Sequence, residues 1–164
     1  MIGLTDRDIL AGRVCREVLR NPSYAPSRTR ELIEWLKSDF RPTADIAGRA
    51  LAALGPQAFD DLLNDVLSRP DLPKPSLVWA LELFPERHER LLPLLRDWLG
   101  RSAGDLRLQV AVSIAHIITE RLEKRLPVDQ ADVSLFKSVL VPAMNRGAIR
   151  VHLRDFELAA AEAG

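Results

Sequence analysis

Apolar residues recur every three or four positions along nearly the whole 164-residue chain, in short segments that end at proline or glycine. This spacing places apolar side chains on one face of an α-helix, whereas a half-buried β-strand needs strict alternation. No segment alternates in this way over a run of β-branched residues. The sequence therefore predicts an all-α fold of about nine helices.

Residues that start or stop helices stand at the ends of several of these segments. Thr5 is followed three positions later by Asp8, which is the pattern of an N-cap with its acidic partner. Ser27 and Thr43 are predicted to begin the second and third helices. Pro42 is predicted to end the second helix, because proline disfavours helical backbone in the residue before it.

One outline repeats about every thirty residues between positions 43 and 118. A helix that ends at Ala53-Leu54-Gly55 is followed by a turn and a second helix, and the outline returns near Ala80 and Val110. This outline resembles the short bacterial HEAT repeats, and Arg107 matches the arginine that usually precedes their paired alanines. The resemblance implies an α-α superhelix in which stacked helix pairs form a curved face. An irregular helical bundle is the alternative.

Charge and length restrict the class of protein. The chain has 23 basic and 23 acidic residues, so no global field draws it to nucleic acid or to anionic lipid. No apolar stretch reaches the roughly 20 residues of a membrane span, and the N-terminus does not resemble a signal peptide. We expect one soluble domain over residues 1–164, located in the cytoplasm, and the oligomeric state stays open.

The single cysteine and the three histidines give no pattern of a metal or cofactor site. Cys15 lies in an apolar helical pattern and is predicted to be a buried structural thiol. His116, among isoleucines, is predicted to be a hydrogen-bonded core histidine, and His88 a solvated residue of the sixth helix. His88-Glu89 resembles the metal-binding pairs of HEAT-like deoxyhypusine hydroxylases, but those sites draw several such pairs from different repeats. We therefore expect no cofactor.

An arginine stripe, Arg146, Arg150 and Arg154, repeats every four residues near the C-terminus. In a helix this spacing aligns three guanidinium groups on one face, which could bind a phosphate or an acidic partner. The alternative interpretation is a solvated helix face.

An acidic patch, Asp60, Asp61 and Asp65, lies on the fourth predicted helix. Asp61 and Asp65 form a like-charge pair one turn apart, which costs a few tenths of a kcal/mol. Either binding of a partner or a nearby arginine, such as Arg28 or Arg30, would explain that cost.

Three tryptophans, Trp35, Trp79 and Trp98, invite comparison with HEAT-like DNA glycosylases, which line a basic concave face with tryptophan. Here all three occur at the spacing of core residues, and the chain lacks the basic excess that contact with phosphates requires. The tryptophans are therefore predicted to be core residues, and nucleic-acid binding is not favoured.

The repeat outline and the lack of a catalytic motif favour a protein-interaction module without catalytic activity. No nucleophile elbow, P-loop or glycine-rich dinucleotide turn occurs in the sequence. The module would present a curved helical face to a protein partner, for example as an immunity protein or an adaptor. One alternative is binding of nucleic acid or a phospho-ligand through the arginine stripe, and another is an enzyme whose site is assembled across repeats.

Overall fold

The computed structural model describes residues 4–140 of the chain. All regular structure in this range is helical, which confirms the predicted all-α class. A short 3-10 turn, Pro85–Arg87, precedes the sixth helix. The α-helices are α1 (Asp6–Arg20), α2 (Pro26–Leu36), α3 (Arg41–Ala53), α4 (Pro56–Leu67), α5 (Pro75–Glu82), α6 (His88–Arg101), α7 (Gly104–Glu123) and α8 (Gln130–Leu140). The ninth predicted helix, after Gly147, lies outside the described residues.

The start of α1 has the predicted capping box. The backbone N–H of Asp8 donates to the Thr5 hydroxyl at 3.2 Å, and the Thr5 N–H donates to Oδ2 of Asp8 at 3.0 Å. Two N–H groups at the start of this helix thereby obtain partners that the helix itself does not provide.

The predicted boundary between the second and third helices is wrong. α2 ends at Leu36 and α3 begins at Arg41, so Pro42 lies in the first turn of α3 instead of ending α2. Proline is tolerated there because the first N–H groups of a helix have no helical acceptor. For the same reason α2 begins at Pro26, and Ser27 lies inside the helix instead of capping it.

The chain divides into two compact units, Met1–Leu91 and Leu92–Gly164, with the boundary inside α6. The prediction of a single domain stays a prediction. In the first unit α3 is central, because it packs against α1, α2, α4 and α5, and α2 also packs against α4. The largest fully buried side chains of this unit are Leu32, Leu36, Leu51, Phe59, Leu62, Leu63, Leu81, Phe84 and Leu91.

Polar contacts join the ends of α2, α4 and α5 within the first unit. The Ser76 hydroxyl donates to the carbonyl oxygen of Leu36 at 3.0 Å, and Nζ of Lys74 donates to that of Lys37 at 3.1 Å. Nζ of Lys37 in turn donates to Asp65 at 3.1 Å. The carbonyl groups at the end of α2, which lack helical donors, are therefore satisfied by residues at the start of α5.

In the second unit α7 packs against α8. Every α7 residue from Val110 to Ile118 is buried or half-buried, as the apolar sequence of this helix predicts. Arg107, the residue that matches the HEAT pattern, donates from Nη1 to the carbonyl oxygen of Leu99 at 2.6 Å. Arg96 of α6 forms a bidentate ion pair with Asp132 of α8.

The tryptophans differ in exposure. Trp35 and Trp98 are buried, as predicted for core residues, and Trp79 is half-buried.

Candidate functional site

The outer side of α1 carries a row of three arginines. Ala11, Cys15 and Val18 are the buried residues of this helix. Positions 13, 16 and 20 follow each other at intervals of three and four, so they share the opposite side of the helix. We call Arg13, Arg16 and Arg20 the arginine row; all three are exposed, and none of their side chains has an ion pair or hydrogen bond with another described side chain or backbone group.

Large aliphatic residues are also exposed in and next to α1. Of the six exposed large hydrophobic residues among the side chains that the structure describes, four fall within residues 4–20. Single exposed aliphatic residues are common on soluble proteins, whereas a contiguous exposed apolar patch marks an interaction surface. The four are Leu4, Ile9, Leu10 and Leu19, with 62%, 46%, 50% and 41% of their surface exposed.

A groove of about 390 Å³ runs between α1 and the start of α3. Arg16 lies at its edge and folds back over the helix, since a methyl group on Gly12 would lie 3.6 Å from Nη1 of Arg16. We call this cavity the α1–α3 groove, and it is lined by Leu4, Asp8, Ile9, Gly12, Arg16, Phe40, Pro42, Thr43 and Ile46. The groove thus adjoins both the arginine row and two of the exposed aliphatic residues.

Asp8 links the starts of α1 and α3. Its carboxylate accepts hydrogen bonds from the Thr5 hydroxyl and, at 2.8 Å, from the Thr43 hydroxyl. The hydrogen bonds from the Thr5 side chain and backbone, followed by that from Thr43, lower the pKa of Asp8 below its ordinary value of 3.8. Because both helices begin at this point and both line the groove, α1 and α3 run in the same direction.

A second, more polar cavity of about 460 Å³ lies on the other side of Asp8. Both acidic and basic side chains line it, and Lys37, one of its basic residues, is already paired with Glu34 at 2.8 Å. Its lining consists of Thr5, Arg7, Asp8, Glu34, Trp35, Lys37, Ser38, Asp39, Phe40 and Thr43. The cavity wall therefore carries charges of both signs, and we do not assign it a ligand.

Each carboxylate of the acidic patch on α4 has a partner within the first unit. Asp61 accepts a hydrogen bond from the Tyr24 hydroxyl at 2.8 Å, and Oδ2 of Asp65 lies 3.0 Å from Nζ of Lys37. Asp60 pairs with Arg90 at 2.6 Å and lies 3.9 Å from Arg87. The three carboxylates therefore bind three different sets of partners.

Neither of the arginines proposed to offset the acidic patch is one of its partners. Arg28 pairs with Glu31 on its own helix at 2.8 Å, and no ion pair within residues 4–140 joins Arg30 to the patch. The guanidinium of Arg90 also lies 6.0 Å from the centre of the buried Phe59 ring. The Arg90 side chain therefore lies over the Phe59 ring while it pairs with Asp60.

The arginine stripe, Arg146, Arg150 and Arg154, lies outside the described residues. Its proposed role in binding a phosphate or an acidic partner stays a prediction.

His88 differs from its predicted role as a solvated residue. It is buried, with 7% of its surface exposed, and Nε2 donates to the carbonyl oxygen of Glu82 at 2.7 Å. Glu82 is the last residue of α5, and its carbonyl group lacks a donor within the helix. His88 therefore caps the C-terminal end of α5. His116 is half-buried.

Neither the cysteine nor the acidic residues of the described range form a site for a metal. Cys15 is fully buried, as predicted, and burial raises the pKa of its thiol to about 11. No three histidine, cysteine or acidic side chains between residues 4 and 140 come together as ligands would. Asp132, the one buried carboxylate in this range, has both oxygens bound to Arg96.

The arginine row is the feature that the sequence analysis did not identify. Its spacing, with positions 13, 16 and 20 on one helix, is visible in the sequence. The sequence alone does not show that these arginines lack acidic partners among the described residues. Ion pairs such as Asp60–Arg90 join residues that lie far apart in the chain.

Comparison of the chain with models of protein families, with curated proteins and with solved structures finds no significant match. Among the helices between residues 4 and 140, none is long and apolar enough to cross a membrane. Function is therefore inferred from the chain's own residues.

Proposed function

We propose that this chain is a protein-interaction module without catalytic activity, which binds a protein partner on the outer side of α1. The observation that carries this proposal is the concentration of exposed aliphatic side chains in residues 4–20. Burial of such side chains at an interface removes apolar surface from water, which contributes about 25 cal/mol per Å². Leu4 and Ile9 line the α1–α3 groove, and a partner would cover these two residues together with the groove.

The packing of the first unit supports a helical-repeat architecture. α3 packs between α1 and α5, while α2 packs against α4, so alternate helices are neighbours. This is the relation expected of stacked helix pairs, and the shared direction of α1 and α3 agrees with it. We propose that the repeats are HEAT-like.

Within this class the chain could act as an immunity protein or as an adaptor in the cytoplasm. The acidic patch is not part of the proposed surface, because its carboxylates already stabilise the contacts of α4 with Tyr24, Lys37 and Arg90. The proposal therefore differs from the sequence-based expectation in the place of the binding surface.

Affinity capture from the native host tests this proposal with a pair of matched variants. Ile9→Asp places a charge on the proposed surface, and Leu67→Asp places one at the end of α4. The two positions have similar exposure, 46% and 53%, so neither change is expected to disturb the core. Retained proteins are identified and quantified by mass spectrometry for the wild type and for both variants.

We expect a protein that binds the wild type and Leu67→Asp equally but is lost with Ile9→Asp. Circular dichroism and thermal unfolding of each variant establish that the fold is kept. The proposed surface would be contradicted if the wild type captured no protein, or if Ile9→Asp captured the same proteins in the same amounts as the wild type. Turnover in a broad activity screen would contradict the non-enzymatic role.

A further inference from the structure

We propose that the partner segment that binds α1 is acidic and carries one large apolar side chain. Its carboxylates would pair with the arginine row, and its apolar side chain would enter the α1–α3 groove. This inference rests on the proposed function and adds the chemistry of the partner.

The charge of the surface indicates an anionic partner. Arg13, Arg16 and Arg20 span about 10 Å of the helix, at 1.5 Å per residue, and have no acidic partner in the described chain. Several other arginines pair with a carboxylate of the chain, as in the pairs Arg28–Glu31 and Arg101–Asp97. Guanidinium groups bind carboxylates through two parallel hydrogen bonds, so three arginines in a row without an acidic partner among the described residues match a segment with several carboxylates.

The groove beside the row indicates an apolar component in the same partner. Its volume of about 390 Å³ has room for a large side chain, and Ile9, Pro42 and Ile46 are among its walls. The one carboxylate in the wall, that of Asp8, already accepts hydrogen bonds from Thr5 and Thr43. An apolar side chain can therefore enter without leaving Asp8 unpaired.

A peptide fits this surface better than a nucleic acid. Binding to a nucleic acid depends on a continuous basic surface, whereas α1 also carries Asp6 and Glu17, and exposed Ile9 lies beside the row. The zero net charge of the chain agrees with recognition of a short segment instead of a long polyanion.

Selection of random peptides on the full chain tests the inference, with a phage-displayed library as the probe. We expect the enriched sequences to contain several Asp or Glu residues and a large apolar residue. The consensus peptide is then labelled, and its affinity is measured by fluorescence anisotropy for the wild type, for Arg13→Ala/Arg16→Ala/Arg20→Ala, and for Arg30→Ala. Arg30 is an exposed α2 arginine that makes no ion pair within residues 4–140, so it is the matched control.

The expected result is a loss of affinity of at least about tenfold in the triple variant, with no change in Arg30→Ala. Added salt should weaken binding to the wild type, because exposed charge pairs are screened. Replacement of the peptide's apolar residue by alanine should also weaken it. A library that yields no enriched sequence, or a consensus that is not acidic, would overturn the inference.

Two further measurements distinguish other occupants of the same surface. If a single-stranded oligonucleotide binds more tightly than the peptide, and the triple variant loses this binding, the arginine row is a nucleic-acid site. A dimer in sedimentation that the triple variant dissociates would assign it to a second copy. Either result overturns the acidic-peptide proposal. If the wild type captures a protein that Ile9→Asp loses, but no acidic peptide binds, only the proposed chemistry of the partner is wrong. If the wild type also captures no protein, the proposed function is wrong.

Discussion

The indole ring of Trp79 on α5 lies against Gly48 on α3, in the space that a side chain at position 48 would need. A Cβ atom on Gly48 would lie 2.5 Å from Cζ3 of Trp79, well inside van der Waals contact. The close approach of α3 and α5 therefore depends on glycine at this position. Because α3 is the central helix of the first unit, this contact affects the packing of that whole unit.

Gly48→Ala is expected to destabilise the protein by about 1–3 kcal/mol, because the added methyl group forces the Trp79 ring or α5 to move. The change should lower the midpoint of urea unfolding. This cost must exceed the gain of up to about 1 kcal/mol that alanine brings to a helix interior.

Gly100→Ala is the matched control, since a Cβ at Gly100 of α6 would meet no atom within 4 Å. That variant should gain about 0.5–1 kcal/mol from helix propensity alone. Equal effects of the two substitutions would contradict the packing of Trp79 on Gly48.

Asp8→Asn is expected to make stability less dependent on pH in the acid range. The folded chain lowers the pKa of Asp8, chiefly through the hydrogen bond with the Thr5 side chain. The ionised carboxylate therefore stabilises the folded state above its ordinary pKa of 3.8, and this contribution is lost as the pH falls through the lower, folded pKa.

The melting temperatures of wild type and Asp8→Asn, measured from about pH 6 downward, check this prediction. The wild type should be more stable at the upper end of the range, and the difference should close as the pH falls below 3.8. Asp71→Asn, at an exposed carboxylate without an ion pair in the described chain, serves as the control. A difference that is constant with pH would show that the carboxylate's charge is not the cause.

Asp132→Asn should lower the free energy of unfolding by about 1–2 kcal/mol, as expected for loss of charged hydrogen bonds to a partly exposed partner. Asp132 is buried, with 2% of its surface exposed, whereas 40% of the Arg96 side chain is exposed. Asp97→Asn removes the carboxylate of the exposed pair Asp97–Arg101 and should cost less than about 0.5 kcal/mol. Equal losses for the two variants in urea unfolding would contradict this difference in burial.

The thiol of Cys15 should resist alkylation in the folded protein. It is fully buried, and desolvation followed by the charge of Glu31 raises its pKa to about 11, so very little thiolate exists near neutral pH. As the only cysteine, it gives an unambiguous signal by mass spectrometry after iodoacetamide treatment. Rapid modification without denaturant, at the rate seen in guanidinium chloride, would show that α1 is not packed as described.

The positions of the helices followed from the sequence because caps, prolines and apolar spacing act within one or two turns. Pro42 was misplaced because a proline that ends one helix is equally suited to the first turn of the next. The error moved the boundary of α2 by a few residues but did not change the number of helices in this part of the chain.

The polar contacts could be predicted only in part, because most of their partners are distant in sequence. His88 was expected in solvent, yet it donates to the terminal carbonyl of α5, which local spacing does not place beside it. The contacts of Asp60 with Arg90 and of Asp65 with Lys37 likewise depend on packing between helices. For this reason the sequence does not show which residues contact the acidic patch, and the role of the patch in binding a partner stays a prediction.

Hydrogen exchange of the chain, free and bound to the partner captured by the wild type, tests the central claim most directly. If the partner binds the outer side of α1, its presence should slow exchange in the peptides that cover residues 6–20 and the start of α3. Peptides from α7 should be unchanged. Slower exchange confined to other helices, with none in α1, would contradict the proposal that α1 is the binding surface.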